Sequence, residues 1–312
     1  MSRSTGRTRR RKEIPAWITV AVLLLLAAVA VTAAYAALTG GGADRNQGFP
    51  LRSATPTSTA SVAEEPAQPA VQVAAAPPQR LLTGTANTTV RATAGSCEAS
   101  GLVEFSVDER QNWNELSALR EMGATQILRL SITEPSTIEV VAHDQNCEPQ
   151  VFRTPDLGLT WEGPFPAAGS WYLSPSQPGE VGAPEGIRPL PCDGAELAAA
   201  GERAAVRCLD GTVITSTDQA NSWTAVPDLE GVVAISDTAD SYLVVSTGDG
   251  GCQGLRLITL TNPVSPNGCF EIPLEPGAFD PALIALTQFD SSTLMWVQDD
   301  LVVSPDQGRT WL

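Results

Sequence analysis

One histidine, His143, is all that the 312 residues offer to imidazole-dependent chemistry. A Ser-His-Asp or Cys-His nucleophile system would have to be built on it, and a zinc site with several histidines is excluded. His143 closes the apolar run Val140-Val141-Ala142, so it reads as an ordinary strand-end histidine. Tyr172 and Tyr242 are the two phenolic candidates for a nucleophile beyond the N-terminal segment. The neighbours Asp299 and Asp300 have the residue type that glycoside hydrolysis or cation binding needs. In a chain with 35 acidic residues such pairs arise by chance. Trp171, Tyr172 and Trp296 have the shape to line a glycan or peptide groove, with buried packing the expected use of each. No catalytic residue, cofactor or metal site is expected.

The elements that must position these residues lie behind a segment of a different kind. Arg3, Arg7, Arg9, Arg10, Arg11 and Lys12 form a basic tail over residues 1–13. From Ile14 to Leu38 the chain carries no charge, long enough at about 1.5 Å per residue to cross a hydrocarbon core about 30 Å thick. Pro15 in its first turn, Trp17 near one end and Tyr35 near the other suit a membrane helix. The basic flank stays cytoplasmic by the positive-inside rule, which sends the C-terminal bulk outward. Ala34-Tyr35-Ala36 also offers a signal-peptidase pattern, but the apolar run is long for a signal peptide and the retained anchor is the preferred reading. Residues 39–78, rich in Gly, Ala, Pro, Thr, Ser and Val, show neither strand nor helix periodicity and read as a disordered spacer.

Residues 79–312 form the remaining domain, large enough for a sandwich, barrel or propeller. The formal net charge of the whole chain is −16, and with the basic tail set apart this domain is more acidic still. Such a surface repels nucleic acid and anionic head groups. All six cysteines, Cys97, Cys147, Cys192, Cys208, Cys252 and Cys269, lie in it. An even number outside the cytoplasm argues for disulfides, and six allow 15 pairings. Nearest-neighbour pairing is expected: Cys192 with Cys208 and Cys252 with Cys269 close short loops, which leaves Cys97 with Cys147. The lack of C-x-x-C disfavours a thioredoxin-like site and a zinc ribbon.

One short pattern recurs four times: a small hydroxylated residue, x, Asp, a turn, then Trp. The clearest copies run from Thr154 through Asp156 and Gly158 to Trp161, and from Ser304 through Asp306 and Gly308 to Trp311. The copies from Ser216 through Asp218 to Trp223, and from Ser106 through Asp108 to Trp113, replace the glycine by Ala220 and Arg110. The first copy also carries Asn112 at the second hydroxyl position. Aspartate accepts backbone N–H bonds from residues that follow it, and glycine takes the positive φ of a tight turn, so each copy predicts a hairpin. The apolar runs Val213-Ile214 and Leu301-Val302-Val303 supply strands leading into two of them.

This pattern resembles the Asp-box (BNR) repeat, S/T-x-D-x-G-x-T/S-W, of sialidases, sortilin-type receptors and photosystem assembly factors. The resemblance implies an all-β fold, a β-propeller in which each box marks the turn between the third and fourth strands of a blade. It also implies that the aspartates are structural and that the boxes face away from the functional end. The four tryptophans are 48, 62 and 88 residues apart, and the last interval is read as two units, one without its box. About five blade-like units follow, with strands of the box-less unit at 241–246 and 254–261. The outer strand of the last blade is expected from residues near Arg80 to Arg91. An all-β sandwich with similar hairpins is the alternative. Phe152-Arg153-Thr154-Pro155 resembles the arginine motif of sialidases, but it overlaps a box instead of preceding the first, so it is read as coincidence. The expected function is a membrane-anchored, extracytoplasmic binding or assembly module, non-enzymatic, engaging a cell-envelope protein, a basic peptide or a polysaccharide. A carbohydrate-active enzyme on the same scaffold is the alternative.

Overall fold

The computed structural model describes residues 79–249, 251–261, 264–274 and 279–312. The expected basic tail, membrane helix and spacer lie outside the described residues. Among the described residues no helix is long and apolar enough to cross a membrane.

Six antiparallel sheets follow one another along the chain. Blade 1 holds β1 (Arg80–Gly84), β2 (Thr89–Gly95), β3 (Ser100–Ser106) and β4 (Asn114–Glu115). Blade 2 holds β5 (Ile127–Glu134), β6 (Thr137–His143), β7 (Pro149–Thr154) and β8 (Glu162–Pro166). Blade 3 has three strands, β9 (Tyr172–Leu173), β10 (Glu180–Ala183) and β11 (Gly186–Pro189). Blade 4 is β12 (Gly194–Ala200), β13 (Arg203–Cys208), β14 (Val213–Ser216) and β15 (Thr224–Ala225). Blade 5 is β16 (Val232–Asp237), β17 (Tyr242–Asp249), β18 (Cys252–Thr259) and β19 (Ser265–Glu271). Blade 6 is β20 (Ile284–Phe289), β21 (Ser292–Val297) and β22 (Asp300–Ser304). The first strand of each sheet is innermost, and β1, β5, β9, β12, β16 and β20 ring a central channel.

The fold is therefore a six-bladed β-propeller, one blade more than the tryptophan spacing implies. The interval from Trp161 to Trp223 holds two blades, because blade 3 is short and carries no box. Its strands total ten residues, broken by prolines and glycines, too brief to impose a period of their own. Blade 5 is the expected box-less unit, with β17 and β18 covering the strands read from sequence. The expected ring closure is also overturned. Arg80–Gly84 and Thr89–Gly95 pair with each other as the first hairpin of blade 1, so they are not available to blade 6. Leu312 takes the outer place there, its N–H donating to Val303 O at 2.9 Å.

Strands in the middle of a blade are covered on both faces by neighbouring blades, which is why they read as nearly continuous apolar runs. Leu243, Val244 and Val245 are all fully buried, as are Ile138, Val140 and Ala142. Five separate clusters fill the joints between blades 1 and 2, 2 and 3, 3 and 4, 4 and 5, and 5 and 6. The joint between blades 6 and 1 is built differently. Trp296 of β21 lies under the Arg80 guanidinium at 4.3 Å, and Arg91 sits 5.1 Å from Trp296 and 3.9 Å from Trp113. Glu104 balances Arg91 at 2.8 Å. Alternating cations and indole faces thus seal the place where the last blade meets the first.

The four motif copies form four hairpins of one geometry, three of them between the third and fourth strands of a blade and the last between β22 and Leu312. In each, the first hydroxyl donates to the aspartate and accepts the N–H two residues beyond it. In the copy at Asp156, Thr154 Oγ1 donates at 3.0 Å and Gly158 N reaches Thr154 Oγ1 at 2.6 Å. Thr160 then gives its N–H and its hydroxyl to the two carboxylate oxygens, both at 2.7 Å. Asn112 reproduces the second contact with its amide, Asn112 Nδ2 to Asp108 Oδ2 at 2.5 Å. Arg110 and Ala220, standing where the other copies have glycine, still take the left-handed backbone, at φ 70° and 66°. The hydroxyl–aspartate network is strong enough to hold non-glycine residues there. The boxes at Asp156 and Asp306 also pack on the blade before them: Gly158 against Leu116, Gly308 against Leu257, and Trp311 edge-on to Phe270 with its indole N–H on Cys269 O at 3.2 Å.

Candidate functional site: the central channel

The channel is a cavity of about 790 Å³, open to solvent and within the size range of small-ligand sites. Small and aliphatic residues of the inner strands make most of its wall, and four charged side chains, Arg80, Arg129, Glu196 and Asp237, line it. Each has a different degree of commitment to the fold. Arg80 is held over Trp296 and reaches Asp299 at 3.4 Å. Glu196 faces Arg207 across the β12–β13 pair, carboxylate to Nε at 3.1 Å, with Arg207 almost fully buried. Burial pushes the Glu196 carboxyl above its usual range, and Arg207 pulls it back. That pair joins the two strands, so Glu196 is largely spent on structure.

Arg129 and Asp237 are less committed. Because β9 is only two residues long, blade 3 leaves a gap in the inner ring between β5 and β12. Arg129 on β5 spans it, with Nη2 donating to Ala199 O on β12 at 2.6 Å. Removal from water lowers the Arg129 pKa, while the charges of Asp237 and Glu139 act the other way. Asp237, at the end of β16, is exposed to the channel yet ringed by protein. Desolvation raises its pKa, and Arg129 and then Arg203 counter that. Asp237 keeps exposed surface in the channel lining, so the acid remains available to a ligand. A cation that uses only its Nη2 donor among the described residues and an accessible carboxylate thus share one lumen, a combination that can grip a polar ligand by acceptor and donor together.

The two ends of the channel differ. The turns between second and third strands, at 95–100 and 144–148 among others, lie at the end where the inner strands begin. All three disulfides are there: Cys97–Cys147 links blades 1 and 2, Cys192–Cys208 braces blade 4, and Cys252–Cys269 joins β18 to β19. These are the nearest-neighbour pairs. The four box hairpins sit at the opposite end.

No family model matches the chain, and no curated protein matches it in sequence. Among solved structures it is similar to the GH74 enzyme of Niastella koreensis, at 15% identity over 72% of this chain and 36% of that one, TM-score 0.39. It is similar to YCF48 bound to D1 peptide, at 15% identity over 82% and 75% of the two chains, TM-score 0.28. A six-bladed fucose-recognising lectin of Aleuria aurantia shares 11% identity over 78% of this chain and 96% of that one, TM-score 0.46. The chain spans about a third of the length of the GH74 enzyme. Likeness at this level carries no assignment of ligand or activity.

The residues weighed from sequence fall mostly outside the channel. Trp171 is buried with its indole N–H on Gly201 O at 2.9 Å, and Trp296 is buried in the joint between blades 6 and 1. Tyr172 is buried between blades 2 and 3, and Tyr242 is buried with its pKa pushed up to about 12 by desolvation. Asp299 is fully exposed on the β21–β22 hairpin and Arg153 is exposed on β7. His143 is buried behind the Cys97–Cys147 disulfide. Arg129, Glu196, Arg207 and Asp237 were not singled out from sequence. A signal was present: Arg129 interrupts Ile127-Leu128-Leu130, and Arg207 stands between Val206 and Cys208. A lone charge inside an apolar strand run either finds a buried partner or faces a cavity.

Proposed function

We propose that the chain is a membrane-anchored, extracytoplasmic binding module that takes a polar ligand of short-peptide or oligosaccharide size into the central channel. The observation that carries this is Arg129 and Asp237 facing one lumen, both with hydrogen-bonding capacity left over. The acidic character of the domain supports a basic or neutral partner, such as a cell-envelope protein segment or a polysaccharide, and disfavours nucleic acid. The uncharged run from Ile14 to Leu38 supports the anchor, and the basic tail supports a cytoplasmic N-terminus.

The test is a binding screen of short peptides and envelope oligosaccharides against the full-length protein, repeated with Asp237→Asn and Arg129→Gln. A charge-assisted hydrogen bond contributes roughly 1.5–3 kcal/mol, so each variant should weaken a true channel ligand by about tenfold or more. Ligands that bind all three proteins alike would place recognition elsewhere on the molecule. The second reading, a carbohydrate-active enzyme, is favoured by one observation: Glu196 and Asp237 line the same channel and burial raises the pKa of both, as a general acid requires. Hydrolysis of a bound oligosaccharide, abolished in Asp237→Asn, would establish it.

A further inference from the structure

The three disulfides are unequal in their surroundings. Cys192–Cys208 is closed in on one side by Cys208, which is fully buried. Cys252 and Cys269 are each half-buried, on adjacent strands of one sheet. Cys147 is exposed, the only one of the six so placed, in a turn where it takes φ 62°. A left-handed backbone is costly for a residue with a side chain, and the turn is held in it by Asp144, whose carboxylate accepts the N–H groups of Asn146 and Glu148. This disulfide alone joins two blades.

Behind it stands His143, which no function proposed so far uses. Its Nδ1 is 3.4 Å from Cys97 Sγ and its Nε2 is 3.1 Å from Ser174 Oγ. A disulfide sulfur has no proton to give. The contact is therefore a hydrogen bond only when Nδ1 carries the proton, and Nε2 then accepts from the Ser174 hydroxyl. Ser174 Oγ lies 2.9 Å from Ser176 Oγ, and Ser176 is exposed. A chain of hydrogen bonds thus runs from the sulfur of Cys97 through imidazole and two hydroxyls to solvent.

We propose that Cys97–Cys147 is a thiol–disulfide exchange site, opened by an external dithiol while the other two disulfides stay closed. The thiolate of the dithiol attacks Sγ of Cys147, the exposed residue of the pair, forming a mixed disulfide and breaking the bond to Cys97. Cys97 leaves as a thiolate and takes the proton held at His143 Nδ1, while Nε2 gains one from solvent through Ser174 and Ser176. The second thiol of the reagent then attacks the mixed disulfide, releasing Cys147 as a thiolate that is protonated by water. The dithiol is oxidised by two electrons to its own disulfide, and Cys97 and Cys147 end as thiols. Exchange rates rise with access to the attacked sulfur and with stabilisation of the leaving thiolate, and both conditions meet here. Glu98 beside Cys97 and Asp144 and Glu148 around Cys147 make the approach unfavourable for anionic thiols, so the matching reagent is an uncharged dithiol or one on a basic surface. Opening the bond removes the covalent link between the turns of blades 1 and 2.

The experiment is graded reduction of the native full-length protein with dithiothreitol at fixed pH, trapping of thiols with an alkylating reagent, and peptide mapping by mass spectrometry. Cys97 and Cys147 should be labelled at a reductant exposure at least about tenfold below that for the other four cysteines. His143→Leu removes the donor while filling its buried site, and should slow that opening severalfold without changing the rate at Cys192–Cys208. Ser174→Ala leaves the imidazole in place and breaks the relay, so it gives the same readout if His143→Leu does not fold. Overturning results are simultaneous opening of the three disulfides, prior opening of either other pair, or an unchanged rate in the folded variants.

Discussion

Arg110 occupies a left-handed backbone position that the matching hairpins at Gly158 and Gly308 fill with glycine, and replacing it should stabilise the protein. Its φ is 70°, and a residue with a Cβ in that region carries a penalty of roughly 1–2 kcal/mol. Glycine removes the penalty but gives the unfolded chain more freedom, worth about 0.4–1 kcal/mol in the other direction. The bond from its backbone N–H to Ser106 Oγ, 3.1 Å, does not depend on the side chain and survives the change. Arg110→Gly should therefore gain about 0.5–1 kcal/mol. Ala220 has the same backbone, φ 66°, but its methyl group is buried, and losing it costs about 0.8 kcal/mol. Ala220→Gly should accordingly come out near neutral. Gly158→Ala tests the same geometry in reverse, since a Cβ there would stand 2.5 Å from Leu116 Cδ2 at φ 91°, and it should destabilise by about 1–3 kcal/mol. Urea denaturation followed by tryptophan fluorescence orders the three variants. If Arg110→Gly destabilises, the hairpin at Asp108 is not in the conformation of its relatives and the reasoning fails.

Asparagine and serine side chains, with backbone N–H groups, hold Asp108 and Asp218 at about 2, against an ordinary value of 3.8, and the same kind of bonding lowers Asp156 and Asp306. A lowered folded pKa means the folded state favours the carboxylate. That contribution is complete above the unfolded value and is lost as pH falls from about 4 toward about 2. Acid unfolding monitored by circular dichroism should steepen in that window, and Asp108→Asn should flatten it. Trp296→Leu should cost about 1–3 kcal/mol, because it removes the face on which Arg80 and Arg91 rest at the joint between blades 6 and 1. Limited proteolysis should then show cleavage first in blades 1 and 6. Gly268→Ala should destabilise by about 1–3 kcal/mol in thermal denaturation, since a Cβ on β19 would fall 1.8 Å from Gly308 O of the last box.

What could be read from the sequence was local and repeated. The first hydroxyl and the aspartate of each box make their bonds within seven residues, so their spacing carries the hairpin, and the resemblance of four copies to the Asp-box repeat implies a propeller. Two disulfides close loops of 16 and 17 residues, and the third, 50 residues apart, followed by exclusion. Blade 3 stayed hidden because it has no box and its strands are too short to show a period. The ring closure was misjudged because Arg80–Gly84 and Thr89–Gly95 look the same as an edge hairpin or an inner one. Which they are depends on blade 6, more than 180 residues away. The channel was illegible for the same reason: Arg129 meets Ala199 and Asp237 only because six inner strands converge, and no short window contains that convergence.

The division of labour between the ends of the ring favours one direction of entry. At the box end, four aspartates each collect three or four hydrogen bonds inside their own turns, leaving those carboxylates little to offer a ligand. At the other end the turns are braced by covalent bonds between cysteines as well as by local hydrogen bonds such as those of Ser96 and Asp144. A ligand entering there passes the wall of small residues and reaches Arg129 and Asp237. The short β9 lies on that path. Had blade 3 a full inner strand, Arg129 would be covered and its guanidinium spent on that strand's carbonyls. The abbreviated blade thus both opens the wall and frees the charge. Extending β9 would close the site without disturbing the box hairpins, so ligand binding and fold stability should respond to different substitutions.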